Sequence, residues 1–141
     1  MMKLIKEKKL KKLIKNYKGI MIGYSAGAMI QLDSYHISPD EDYPEFSYQT
    51  GLGCLSGFAI EPHFRRSKVQ MQSIEKVNSE KQIPVYGIYE EGGMIIDSNI
   101  KCFGKIEKFE WKIIKRYYLF VQINRKFAQI NKKLVFNVKF T

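Results

Sequence analysis

The residues best suited to chemistry lie in the segment Gly23-Tyr24-Ser25-Ala26-Gly27, which follows the apolar residues 19–22. A serine between two glycines, where a strand turns into a helix, is the pattern that presents a hydroxyl nucleophile on a sharp, strained turn. The residues two before and two after such a serine approach closely, and glycine at both places is expected to avoid the collision. The pattern predicts a nucleophile turn that exposes the hydroxyl of Ser25.

Two elements are needed to hold this turn. Residues 19–22 are short and apolar, which predicts a buried parallel strand leading into the serine. Residues 3–16 carry apolar side chains at helical spacing, which predicts an amphipathic helix with its lysines exposed. After the turn, residues 28–30 predict only a short helix, because breaker residues follow at 33–44.

The rest of the chain continues the alternation of strands and helices. Residues 57–60 and 84–89 predict two more buried strands, with a surface helix over 65–80 between them. An acidic turn then leads to a returning strand at 94–96. Beyond Asp97 the pattern gives only short β-like pieces, at 111–114, 117–123 and 134–138.

Histidine and carboxylate side chains follow the later strands at their carboxyl ends, where open α/β sheets build their sites. His63 comes after the strand at 57–60, and Glu90 and Glu91 come after the strand at 84–89. A hydroxyl needs a base to take its proton, and an imidazole base needs a carboxylate to fix its tautomer. The sequence therefore predicts a relay of Ser25, His63 and one of the two glutamates. His36 lies in a polar stretch without metal-ligand spacing, which predicts a surface histidine.

These motifs resemble one known family. The chain is similar, over about residues 10–96, to the serine peptidases that include dipeptidase E (aspartyl dipeptidase) and cyanophycinase. The resemblance rests on three segments in the family's order and spacing: residues 22–28 around the serine, residues 51–53 with 60–64 around the histidine, and residues 86–92 around the glutamates.

The resemblance implies an α/β fold, a flavodoxin-like three-layer α/β/α arrangement with a mainly parallel sheet, related to class I glutamine amidotransferases. It also implies hydrolysis of small peptides through an acyl-enzyme, with Ser25 as nucleophile and His63 as base. Glu90 matches the family's acid, while Asp40 and Glu91 remain alternatives. The backbone N–H of Ala26 would supply one oxyanion donor.

The resemblance further implies that the family's polypeptide begins upstream of Met1, with central strands and a second oxyanion donor. We therefore expect residues 1–141 to form a single, N-terminally truncated domain. Its motif-bearing α/β part is expected over 1–100, followed by a divergent basic tail over 101–141. A catalytically silent fragment or binding module of the same fold is the first alternative.

The net charge of +10 raises a second alternative, a nucleic-acid-binding protein. The charge is concentrated at the ends, because residues 19–100 hold five basic and eleven acidic residues. The part that carries the motifs is thus acidic, which disfavours nucleic acid as its partner.

Cysteine content and hydropathy bear on the compartment and on cofactors. The two cysteines, Cys54 and Cys102, are far apart and outside metal-ligand or disulfide spacing, which indicates a reducing, cytoplasmic location and neither zinc nor a disulfide framework. We expect no metal and no other cofactor. No uncharged stretch reaches the roughly 20 apolar residues of a membrane span. A small peptide is the expected partner, and oligomerisation would cover an exposed sheet edge.

Overall fold

The computed structural model describes residues 2–111 of the 141-residue chain. In that part, no helix is both long and apolar enough to cross a membrane. The described helices and strands are, in chain order, α1 (Met2–Glu7), α2 (Lys11–Asn16), α3 (Ala26–Met29), β1 (Ser34–Ile37), β2 (Ser47–Thr50), β3 (Ala59–Glu61), α4 (Lys68–Lys81), β4 (Val85–Ile88), β5 (Gly93–Ile96), β6 (Ile100–Phe103) and β7 (Ile106–Phe109).

The central sheet has the strand order β3-β4-β7. Strand β4 pairs in parallel with β3 and antiparallel with β7. The strands β1 and β2, and likewise β5 and β6, form antiparallel pairs of their own. The chain is therefore of the α/β class, as predicted. A mainly parallel sheet is wrong for the described residues, because only one of the four strand pairs there is parallel.

One face of the central sheet packs on α4. Ala59 and Val85 point to this face and contact Ile74 and Val77 of the helix. At the start of the helix, the hydroxyl of Ser67 accepts a hydrogen bond from the backbone N–H of Gln70. The helix ends at Gln82, whose backbone adopts the left-handed helical conformation. The predicted surface helix over 65–80 is thereby confirmed with slightly shifted ends.

The other face carries the alternate residues of the same strands. Ile60 and Tyr86 pack there with Leu32 and Phe58 in a second buried cluster. Ala28 and Met29 of α3 pack against this cluster, which places the short helix next to the sheet. The period-two alternation along β3 and β4 thus divides the core between two faces, and α3 and α4 contact different clusters.

The segment before the serine differs from prediction. The single helix expected over 3–16 is split into α1 and α2, with Lys9 at a φ of 55° between them. Residues 19–22 form no strand, and the side chains of Ile20 and Ile22 are 86% and 93% exposed. Their apolar character indicated burial, but the described residues provide no neighbouring strand to pair with them, and pairing is what makes an apolar run a strand.

The region after β4 also departs from expectation. The strand predicted at 94–96 exists as β5, but its partner is β6, while β7 returns to pair with β4. The long-range pairing of β7 left no local signal in the sequence. The β-like pieces predicted at 117–123 and 134–138, and all but the first residue of 111–114, lie outside the described residues.

Phe64 joins the end of β3 to β4. Its backbone N–H donates to the carbonyl of Ile88 at 2.9 Å, and its buried ring lies edge-on to Tyr89 and Phe109. The ring also lies directly over Gly87, where an added Cβ would come within 2.6 Å of the ring atom Cδ1. Glycine is therefore required at position 87 for this ring to stay in place.

We predict that Gly87→Ala destabilises the protein by about 1–3 kcal/mol, because the new methyl group overpacks the ring of Phe64. The free energy of unfolding in urea measures the effect. Gly93→Ala is the matched control: it also changes a strand glycine, but an added Cβ there meets no atom of residues 2–111 within 4 Å. Equal unfolding free energies for the two variants would contradict the prediction.

Glu107 on β7 ties this strand to the segment after β3. Its two carboxylate oxygens share one bifurcated hydrogen bond from Nε of Arg66, at 2.9 and 2.8 Å, and Oε1 also accepts from the hydroxyl of Tyr89. The hydrogen bond from Arg66, followed by that from Tyr89, lowers the pKa of Glu107. A lowered folded-state pKa contributes stability above the unfolded-state pKa, and this contribution is lost as the pH falls through the folded-state value.

We therefore expect the unfolding midpoint of the wild type to fall more between about pH 6 and pH 3 than that of Glu107→Gln. Thermal unfolding followed by circular dichroism across this range measures the difference. Glu110→Gln is the control, because Glu110 pairs with Lys108 at the surface, where ion pairs contribute little. Parallel midpoint curves for the wild type and Glu107→Gln would disprove the linkage.

Candidate active site

Ser25 lies on a strained turn at the start of α3. Its backbone has a φ of 48° and a ψ of −120°, values that non-glycine residues rarely adopt. An added Cβ on Gly23 would lie 2.5 Å from the carbonyl oxygen of Gly27, so the two glycines approach closely as predicted. At Gly27 an added Cβ would meet nothing within 4 Å among the described residues. The expectation that glycine is needed at both places is therefore correct for Gly23 and wrong for Gly27.

The side chain of Gln31 closes the turn from the other side. Its Nε2 donates to the carbonyl oxygen of Gly27 at 3.2 Å. The same nitrogen lies 2.3 Å from the position of an added Cβ on Gly23. A side chain at position 23 would therefore displace both the backbone of the turn and the glutamine that binds it.

His63 lies two residues beyond the end of β3, also with a positive φ, of 51°. The side chain of Gln70, in the first turn of α4, binds this segment at two points. Its Nε2 donates to the carbonyl of His63 at 3.1 Å, and its Oε1 accepts from the backbone N–H of Arg65 at 2.9 Å. The backbone around the histidine is thus held by α4 on one side and by the buried ring of Phe64 on the other.

The imidazole of His63 connects the serine to a carboxylate. Its Nε2 lies 2.8 Å from Oγ of Ser25, and its Nδ1 lies 2.7 Å from Oε1 of Glu90. An ionised carboxylate has only acceptors, so the proton of the second bond belongs to Nδ1. Nε2 of the neutral ring is then an acceptor for the serine hydroxyl. Such an arrangement can move a proton from a hydroxyl to an imidazole.

Glu90 is held ionised by its neighbours. The hydrogen bond from His63 is the main cause that lowers its pKa, desolvation opposes it, and the guanidinium of Arg65 and the hydroxyl of Tyr24 add to the lowering. The Arg65 guanidinium lies 3.8 Å from Oε1, and the Tyr24 hydroxyl lies 3.5 Å from Oε2. The side chains of His63 and Glu90 are 40% and 50% exposed, so solvent screens these charges.

Sequence reasoning did not foresee a role for Tyr24. Besides reaching Glu90, its ring lies edge-on to the imidazole of His63, with centroids 5.7 Å apart. The tyrosine therefore contacts both partners of the histidine–carboxylate pair from the residue before the serine. Its position next to Ser25 was the only signal in the sequence, and that position does not reveal the direction of the side chain.

The two alternative acids lie elsewhere. Oδ1 of Asp40 accepts hydrogen bonds from the backbone N–H groups of Asp42 and Tyr43 and so stabilises its own loop. Glu91 is exposed, and the two imidazole nitrogens of His63 are bonded to Ser25 and Glu90. Of the three acids considered, Glu90 is the one that the structure brings to the imidazole.

His36 is not the surface histidine that was predicted. It lies on β1, its side chain is 1% exposed, and its Nε2 is 2.7 Å from Oε2 of Glu61. In the antiparallel hairpin of β1 and β2, the side that carries His36 faces the cluster around α4. The ring of Phe46 stacks on the imidazole there. The alternation of Tyr35, His36 and Ile37 was a strand signal that the polar surroundings concealed.

Two further features of the site concern metal ligands and the backbone donor beside Ser25. Within residues 2–111, no group of three or more His, Cys, Asp or Glu side chains is arranged to hold a metal ion. The backbone N–H of Ala26, directly after the serine, has no acceptor in the same part of the chain. A free N–H at this position can donate to an oxygen bound beside Ser25.

Comparison with known proteins identifies the family. Residues 1–101 match the model of peptidase family S51, a stretch that includes Ser25, His63 and Glu90. A search of curated proteins finds no match to the chain. The matched stretch covers more than two thirds of the 141 residues. The chain therefore belongs to peptidase family S51, the family of dipeptidase E and cyanophycinase that its motifs resemble.

Proposed function

We propose that the chain is a serine peptidase that hydrolyses small peptides through an acyl-enzyme on Ser25. The observation that carries this proposal is the continuous pair of hydrogen bonds, 2.8 and 2.7 Å long, from Ser25 through His63 to Glu90. Membership of family S51 supports peptide-bond hydrolysis as the reaction. The family resemblance supports a dipeptidase E-like preference for small peptides with an acidic first residue.

In the proposed reaction, Oγ of Ser25 attacks the peptide carbonyl while Nε2 of His63 takes the hydroxyl proton. The carbonyl oxygen becomes an oxyanion, and the backbone N–H of Ala26 donates to it. The C–N bond then breaks, and the imidazolium gives its proton to the leaving amine. A water molecule repeats the attack on the acyl-enzyme, with His63 again as base, and releases the acid.

Glu90 acts on the histidine and not on the peptide. By accepting the Nδ1 proton it keeps Nε2 free as the base, and it stabilises the imidazolium that forms. The lowered pKa of Glu90 supports this role, because the carboxylate stays ionised at pH values below the ordinary pKa of a glutamate. The two free cysteines, Cys54 and Cys102, support a reducing, cytoplasmic location for the enzyme.

We predict that a fluorophosphonate probe labels Ser25 of the wild type and that Ser25→Ala abolishes labelling. His63→Ala should lower the labelling rate roughly 100- to 10 000-fold, because the hydroxyl loses its general base. Rates are read from gels or intact-protein mass spectra. Ser56→Ala changes another serine, exposed at the surface, and serves as the control with wild-type labelling. Equal labelling of all four proteins would exclude the assignment.

A second prediction separates the three candidate acids. Glu90→Gln should lower the labelling rate about 10- to 1000-fold, because the amide no longer stabilises the imidazolium or holds the Nδ1–H tautomer. Glu91→Gln and Asp40→Asn make the same change at the alternative positions and should label at close to the wild-type rate. A larger loss in either control than in Glu90→Gln would transfer the role to that residue.

A catalytically silent binding module is the second candidate. It is favoured by the exposure of Ile20 and Ile22, because this apolar segment directly before the nucleophile turn has no packing partner in the described part of the chain. The labelling experiment also decides this question. Labelling that depends on Ser25 and His63 excludes a silent module, whereas a folded but unlabelled wild type supports it.

A further inference from the structure

A buried polar cluster lies two residues before the histidine. Glu61, the last residue of β3, is 5% exposed. Its Oε2 lies 2.7 Å from Nε2 of His36 and accepts a second hydrogen bond, also of 2.7 Å, from the hydroxyl of Ser38. None of these three side chains takes part in the proposed reaction. We call Glu61, His36 and Ser38 the β3-end cluster.

This cluster is costly for a structure that needs only packing at this place. Burying a carboxyl group and an imidazole costs free energy unless both are fully hydrogen-bonded. Here Nδ1 of His36 is buried and has no partner among the described residues. Apolar side chains of similar volume would fill the same space at lower cost. Unlike apolar packing, these directional bonds fix the relative position of the groups that they join.

What the bonds fix is the position of the end of β3. The alternation along β3 puts Glu61 on the same face as Ala59, toward α4 and the β1–β2 hairpin. In the sheet, its backbone pairs with Gly87 of β4. The hydrogen bonds to His36 and Ser38 add a connection to the carboxyl end of β1, which the sheet itself does not pair with β3.

His63 needs such support on its amino-terminal side. Its φ of 51° is a strained value, and only Pro62 separates it from Glu61. On its carboxyl-terminal side, Phe64 is anchored by its buried ring and by its hydrogen bond to Ile88. Glu61 is the corresponding anchor before the histidine. The strained residue is thus held between two buried neighbours.

We propose that Glu61, held by His36 and Ser38, is a positioning residue that sets the distance between the His63 imidazole and Ser25. The proposal rests on the proposed function, because positioning matters only if His63 acts on the serine. Loss of one bond in the β3-end cluster lets the end of β3 move, and small displacements of a catalytic base have large effects on rate.

The test uses Ser38→Ala, which removes one bond of the cluster and leaves the buried Glu61 and His36 in place. We expect its fluorophosphonate labelling rate to fall roughly tenfold. Ser38→Thr restores the hydroxyl and should recover most of the rate. Ser47→Ala is the matched control: Ser47 lies opposite Ile37 in the same hairpin, and its hydroxyl accepts one bond, of 3.3 Å, from exposed Gln49.

A second measurement distinguishes positioning from a general loss of stability. The chain has two histidines, so ¹⁵N-histidine NMR gives one ring spin system each for His36 and His63. Ser38→Ala should shift the ring resonances of His63, whereas Ser47→Ala should leave them unchanged. Both variants are measured well below their thermal midpoints, so that the folded populations are equal. Glu61→Gln should produce the same shift, larger in size.

The two possible failures are distinguishable. A wild type that is not labelled at Ser25 refutes the proposed function, while the NMR comparison still tests whether the β3-end cluster sets the position of His63. His63 resonances that are the same in Ser38→Ala and Ser47→Ala overturn the positioning role. A loss of labelling that Ser38→Thr does not recover also overturns it.

Discussion

The hydrogen bond between Oγ of Ser25 and Nε2 of His63, 2.8 Å long, joins two residues that both have a positive φ. A non-glycine residue in such a conformation destabilises the fold by about 1–3 kcal/mol, whereas a hydrogen bond stabilises it by about 1 kcal/mol. The contact therefore cannot hold both strained residues by itself. Other interactions must keep them in place and facing each other, and much of the described fold can be understood as supplying these interactions.

The two residues are held by different means. At the serine the constraint is backbone crowding: Gly23 passes so close to Gly27 that only glycine fits at position 23, and Gln31 binds the turn. At the histidine the constraint is anchoring on both sides, by the carboxyl group of Glu61 before it and the ring of Phe64 after it. The serine turn thus depends on local geometry, while the histidine depends on packing against β1, β4 and α4.

This difference explains what the sequence could predict. The serine turn is contained in five consecutive residues, so its strain and the close approach at Gly23 could be read from the pattern alone. His63 and Glu90 could be placed because each follows a predicted strand at the same edge of the sheet, which requires β3 and β4 to be parallel neighbours. That pairing was confirmed, and it brings Glu90 within hydrogen-bond distance of His63.

Two failed predictions were local, the single helix over 3–16 and the need for glycine at position 27; the others depended on contacts distant in sequence. The burial of His36 requires β1 to pair with β2 and Phe46 to stack on the imidazole, and a polar stretch gives no sign of either. The antiparallel return of β7 to β4 joins residues about twenty positions apart. The burial predicted for the apolar run at 19–22 was wrong for Ile20 and Ile22, because hydrophobicity does not specify a partner and the part of the chain described offers them none.

The exposure of the relay determines which physical effect can carry the proposed chemistry. With His63 and Glu90 close to half exposed, water screens the attraction between imidazolium and carboxylate, so charge alone contributes little in the free protein. Geometry must then contribute more, and for that reason the anchors around His63 matter. A peptide bound over Ser25 would exclude water from the same groups and strengthen their interaction. The ring of Tyr24 already lies against the imidazole in a T-shaped arrangement, so this contact is part of the geometry that is present before a peptide binds.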